Sequence, residues 1–203
     1  MDINVELLGN LIAGKEKYIV AEKILKHYDY DFHKLSRADE SSIMIVSGVG
    51  KTIAAKVRNI FLFNRAILSQ LNQRDVSTQF RQSHEIYEYI RYIFFGLNEE
   101  HFYVCYLNRA NRVIKCSLIS SGGVHGTVVD ITTILKHAIA YSASGIVMMH
   151  NHPSGNLKPS DQDKKLTNNV KESCDLMSIR LLDHLIITDH GYYSFADEGL
   201  IIN

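Results

Sequence analysis

Three residues in one short stretch have the types and spacing to hold a metal ion. His150-Asn151-His152 is followed, after a loop containing Pro153, Gly155 and Pro159, by Ser160-Asp161-Gln162-Asp163. Residues i and i+2 of an extended chain face the same side, so both imidazoles can reach one ion. The loop then returns the chain to Asp163, in the first turn of a helix. Two neutral imidazoles and a carboxylate suit Zn²⁺, one per chain, and leave a fourth tetrahedral position open for water. The chemistry that follows is metal-assisted hydrolysis. Ser160-x-x-Asp163 also reads as a helix-capping pair. The two roles are compatible, because a cap would hold the carboxylate in place.

The elements that must position these residues can be read around them. Gly145 to Met149 is a short, wholly apolar run suited to a buried strand that delivers His150 and His152 at its end. Asp161 to Met177 reads as the helix that carries Asp163, and Ile179 to Thr188 and Tyr192 to Phe195 as further strands. Upstream, a helix at about 82–95 precedes strands at Glu100–Leu107 and Val113–Ile119, joined through Asn108-Arg109-Ala110-Asn111. Thr132 to Ala143 is helical.

His150-x-His152, seven intervening residues and Ser160-x-x-Asp163 resemble the JAMM signature of MPN-domain metalloproteases. The run from His150 to Gly155 with Pro159-Ser160, and later Leu182-Asp183-His184-Leu185 and Tyr193-Ser194-Phe195, resemble the bacterial RadC family. The resemblance covers about Glu100 to the last residue. It implies an α+β (α/β-like) MPN/JAMM domain, a mixed curved sheet flanked by helices. It implies that His150, His152 and Asp163 bind zinc and that Ser160 donates to a developing oxyanion. It also implies a catalytic glutamate on an early strand, taking a proton from the water activated at the metal. Glu100 matches that place in the Glu-x-Phe register, with Glu99 beside it as a rival. One departure stands out: Asp130-Ile131-Thr132-Thr133 occupies the place of a Pro-Arg-Glu-like stretch. Asp183 and His184 read either as support for the zinc ligands or as a satisfied core Asp–His pair.

The amino-terminal third differs in character. Leu7, Leu8, Leu11 and Ile12, then Ile19, Val20, Ile24 and Leu25, recur at helical spacing. Gly48-Val49-Gly50-Lys51 joins two apolar helical segments and resembles a helix-hairpin-helix, a module that holds DNA backbone. Gly48, Gly50 and Lys51 are the candidate contacts, because a glycine turn can aim backbone N–H groups at a phosphate. From 41 to 70 the chain holds Lys51, Lys56, Arg58 and Arg65 and no acidic residue. Gly50-Lys51-Thr52 is no P-loop, since the earlier glycine it needs falls on Ile45.

The division expected is a small all-α domain over 1–70, a polar linker over 71–80 and the metal domain over 81–203. Of 203 residues, 46% are hydrophobic, enough for a sizeable core, and formal net charge is zero, so a basic surface must be local. No apolar run reaches the ~20 residues that span a bilayer, and the first residues do not resemble a secretory leader. Cys105, Cys116 and Cys174 read as reduced, packed thiols, and the setting as cytoplasmic. The leading expectation is a zinc-dependent hydrolase of amide or isopeptide bonds, with a peptide or protein substrate and no membrane partner. The alternatives are a DNA-binding accessory or repair-associated protein with a structural or vestigial metal site, and a metal-dependent hydrolase of nucleic acid.

Overall fold

The computed structural model describes residues 2–12, 14–74, 78–122 and 129–201, which fall into two units, Met1–Leu68 and Ser69–Asn203.

Unit 1 is helical: α1 (Ile3–Ile12), α2 (Lys17–His27), α3 (Phe32–Arg37), α4 (Glu40–Met44) and the first part of α5 (Lys51–Arg74). The short helices start on aspartate caps, Asp31 accepting from the His33 and Lys34 N–H groups and Asp39 from that of Ser42. Leu8, Ile12, Val20, Ile24 and Leu25 join the core with Ile43, Ala54 and Val57. Leu7, Leu11 and Ile19 do not: each is more than half exposed, so only part of the periodic apolar set faces inward. Between α4 and α5, Gly48 takes φ +92°, a left-handed conformation that disfavours a side chain.

The polar stretch expected as an exposed linker over 71–80 is corrected at both ends. Helix α5 continues to Arg74, polar side chains being no bar to a helix already nucleated. At the other end Gln79 bridges Arg112, and Phe80 is buried against α6 (Ser83–Phe94). Residues 75–77 lie outside the described residues.

Unit 2 is built on a five-stranded sheet in the order β2-β1-β3-β4-β5, from β1 (His101–Leu107), β2 (Val113–Ser121), β3 (Gly145–Asn151), β4 (Arg180–Thr188) and β5 (Gly191–Ser194). All neighbours are antiparallel except β3 and β4. Strand alternation sends Val104, Tyr106, Ile146, Met148 and Ile186 to one face, against α7 (Ile131–Ala140) and α8 (Asp161–Leu176). Cys105, Leu107, Val147, Met149, Leu185 and Ile187 go to the other, against α6. With helices on both faces, β3 is buried along its whole length, which is why it reads as a continuous apolar run. This is the mixed α+β sheet flanked by helices that the resemblance implies.

One chemical expectation is overturned. Register places Cys105 directly opposite Cys116 on β1 and β2, and the two are joined as a disulfide. Only Cys174 is a free, buried thiol, and burial pushes its pKa up to about 11. Pairing across a ladder is decided by register, which the spacing of the two cysteines does not display. No described helix is long and apolar enough to cross a membrane.

Candidate metal centre

His150 continues the alternation of Ile146 and Met148, so it leaves β3 on the face covered by α8. His152, two residues on, faces the same way. Helix α8 begins there because Ser160 and Asp163 form a reciprocal capping box: the Ser160 hydroxyl accepts from the Asp163 N–H at 3.1 Å, and Asp163 Oδ2 accepts from the Ser160 N–H at 2.7 Å. The Ser160 hydroxyl itself donates to Asp163 Oδ2 at 2.6 Å. The cap therefore sets the carboxylate. Its Oδ1 lies 3.2 Å from His150 Nε2, and its Oδ2 lies 3.7 Å from His152 Nε2. The two Nε2 atoms are 3.0 Å apart.

One ligand atom from each of His150, His152 and Asp163 lies within 4.8 Å of the others, an arrangement that could hold a metal ion. The donor set supports this. His152 Nδ1 is 2.6 Å from the Asn156 carbonyl, which can only accept. The Nδ1 proton is thus engaged, and Nε2 is the ring nitrogen that faces the cluster. Burial alone would raise the Asp163 carboxyl. The hydrogen bond and charge of His150, with the two Ser160 contacts, outweigh it and hold the group well below the usual carboxylate range. A carboxylate and an imidazole nitrogen converging on one point make a suitable seat for a cation.

The centre opens into a cleft of about 550 Å³ lined by Glu100, Phe102, His150, His152, Ser160 and Asp163, among others. Glu100, just before β1, reaches this cleft. Glu99 is not among its lining residues, and its carboxylate lies toward Gly122. Among the described residues, the five that sequence reasoning brought to this chemistry therefore surround one cleft.

Sequence reasoning missed two supports. Asn151, between the histidines, points the other way and grips the backbone on both sides of Glu100: its amide donates to the Glu99 carbonyl at 3.0 Å, and its carbonyl accepts from the His101 N–H at 2.8 Å. Alternation alone could have flagged it as a buried polar residue at a strand end. Thr167, one turn into α8 beyond Asp163, carries no motif signal. Its hydroxyl donates to the Asp163 carbonyl at 2.6 Å and meets His184 Nδ1 at 2.7 Å.

Asp183 and His184 are not a core Asp–His pair, because adjacent strand residues face opposite sides of the sheet. His184 lies against His150, Nε2 to Nδ1 at 2.9 Å. Asp183 turns to the α6 side, accepting from the Ser194 hydroxyl at 2.7 Å and from the N–H groups of Ala196 and His184 at 3.0 and 2.7 Å. Burial raises its pKa to about 6 against these hydrogen bonds.

The DNA candidates lie in unit 1. Gly48 turns the chain, Gly50 accepts the first helical hydrogen bonds of α5, and Lys51 is exposed. Two of the basic residues counted there are engaged internally: Lys56 Nζ donates to the Ile12 carbonyl at 3.0 Å, and Arg58 to those of Ser36 and Ala38 at 3.4 Å.

A sheet of this order with helices on both faces, and a His-x-His and Asp cluster where β3 hands over to α8, define a JAB/MPN-type domain. The chain belongs to the RadC-like JAB domain family, whose model matches residues 80–200. A UPF0758 protein of Porphyromonas gingivalis is 36% identical over 205 residues, covering 98% of this chain and 89% of its own. One of Chlorobium chlorochromatii is 35% identical over 200 residues, covering 97% and 88%. One of Flavobacterium johnsoniae reaches 44% over a shorter 104 residues, 51% of this chain and 45% of that one.

Proposed function

We propose that the protein is a zinc-dependent hydrolase of amide or isopeptide bonds in a peptide or protein substrate. The observation that carries this reading is the convergence of His150, His152 and Asp163 in a cleft that Glu100 and Ser160 also line. His150, His152 and Asp163 would hold the ion, and zinc suits two imidazoles and a carboxylate. When bound, it supplies the Lewis acidity that makes water nucleophilic near neutral pH and polarises a carbonyl. Glu100 takes the proton of the attacking water and returns it to the leaving nitrogen. Ser160 swings its hydroxyl from Asp163 Oδ2 to the substrate oxygen as charge develops there.

Elemental analysis of the purified chain beside Asp163→Ala tests the reading. About one zinc per chain, lost in the variant, is expected. Stoichiometric zinc retained by Asp163→Ala would show the ligand assignment to be wrong.

Unit 1 supports a second activity, DNA-backbone binding at Gly48, Gly50 and Lys51. The left-handed Gly48 and an α5 start with no acidic residue in its first turn favour it. Binding should weaken steeply with salt and survive loss of the zinc ligands. No binding at low salt removes it.

A further inference from the structure

The two imidazoles and one hydroxyl behind the cleft form a hydrogen-bond chain whose direction can be worked out. At its far end is the Asp163 carbonyl, which only accepts, so the Thr167 hydroxyl donates its single proton there. Towards His184 Nδ1 the same oxygen must then accept, which places a proton on Nδ1. His184 has no exposed surface, and its two ring nitrogens meet a hydroxyl and an imidazole rather than a carboxylate, so nothing in contact would compensate a charged ring there and the ring is neutral. A neutral ring carries one N–H, so His184 Nε2 is an acceptor, and His150 Nδ1 must donate to it. A proton of His150 is thereby assigned to Nδ1, and Nε2, which faces Asp163 Oδ1 at 3.2 Å, is the nitrogen that a cation would take. The chain starts and ends on two of the three metal-binding residues: the ring of His150 and the backbone of Asp163.

We propose that His184 and Thr167 are positioning residues that preset the His150 tautomer and orientation for metal binding, through the chain Asp163 C=O, Thr167 Oγ1, His184 Nδ1 and Nε2, His150 Nδ1. The proposal rests on the metal-centre reading above and adds two residues to it, from different elements. The geometry is closed to solvent at each link: Thr167 is 1% exposed, His184 0% and His150 3%. Water therefore has no ready access to replace a lost partner. Phe195 stacks on His184 at 4.8 Å and Phe102 on His150 at 5.9 Å, so the rings are held by packing as well. Free neutral histidine favours the proton on Nε2, the opposite of what the site needs. The chain supplies the bias that reverses it.

The test uses the full-length chain and three variants. Thr167→Val keeps shape and removes the hydroxyl, Thr167→Ser keeps the hydroxyl, and His150→Ala removes the ligand. Nitrogen chemical shifts of the histidine rings report tautomers directly, and competition with a chelator reports zinc affinity. His184 and His150 should both carry their proton on Nδ1 in the wild type. Thr167→Val should lose that pattern at His184 and weaken zinc binding by about 10- to 100-fold. Thr167→Ser should restore both. A wild-type His184 with its proton on Nε2 overturns the proposal. So does a Thr167→Val protein with wild-type zinc affinity, provided His150→Ala abolishes binding. Zinc retained by His150→Ala would instead overturn the metal centre itself, whatever the tautomers show.

Discussion

Each unit has a glycine-marked loop opening onto a helix, and the two loops use their polar side chains differently. In unit 2 the loop between β3 and α8 directs His150, His152 and Asp163 into one cleft, and their remaining hydrogen-bonding groups are engaged behind them. In unit 1 the turn before α5 lies in a basic stretch, but Lys56 and Arg58 point inward to carbonyls near the ends of α1 and α3. The same division occurs within unit 2. Asp163 turns its two oxygens to two imidazoles, Oδ1 to His150 and Oδ2 to His152, whereas Asp183 is held by a hydroxyl and two backbone N–H groups. A polar residue near a cleft or turn does chemistry when its partners leave a lone pair or charge facing outward.

Four experiments bear on that contrast. The largest effect belongs to Glu100, which touches the cleft but is not among the three clustered ligand atoms. Glu100→Gln should lower peptide or isopeptide hydrolysis by about 100- to 10,000-fold while zinc content stays near one per chain. Loss of zinc together with activity would make Glu100 a ligand.

Asp183 should act through stability alone. Its pKa is about 6 in the folded chain against 3.8 ordinarily. The folded state therefore holds the proton more tightly, and stability is full below about pH 4 and declines as pH rises through 6. The decline is on the order of 3 kcal/mol from a shift of about two units. Asp183→Asn should flatten it in urea midpoints taken from pH 4 to 7, with zinc content unchanged. Parallel curves for the two proteins would show that burial does not govern this group.

Smaller effects are expected in unit 1. Arg58→Met should destabilise its helices by about 1 kcal/mol, because two carbonyls near the end of α3 lose a charged donor. Unchanged thermal stability would return Arg58 to the pool of available cations. Lys51→Ala should leave stability within about 0.5 kcal/mol of the parent. Its expected effect is on DNA binding, reducing the salt slope by about one unit. If the slope does not move, Lys51 makes no phosphate contact.

The candidate site was legible because its signals are local. Side-chain alternation along β3 and the capping pattern at Ser160 and Asp163 each span only a few residues. Either can be recognised without knowing what packs nearby. The Asn108–Asn111 connection and the buried character of β3 were legible for the same reason. Phe80 and the continuation of α5 were not. A polar composition is compatible with both linker and helix, and one aromatic residue does not announce which surface will cover it.

The sequence by itself determined the strand–loop–helix that brings two histidines and an aspartate together, since backbone periodicity and helix capping act over short spans. Only the tertiary structure decided which residues support them. Parallel pairing of β3 and β4 sets His184 beside His150, and the seating of α8 on that face brings Thr167 to both His184 and the Asp163 carbonyl. Register likewise joined Cys105 to Cys116. These choices depend on which apolar surfaces bury each other across the chain, and that burial, being non-directional and long-range, leaves no spacing in the sequence to read.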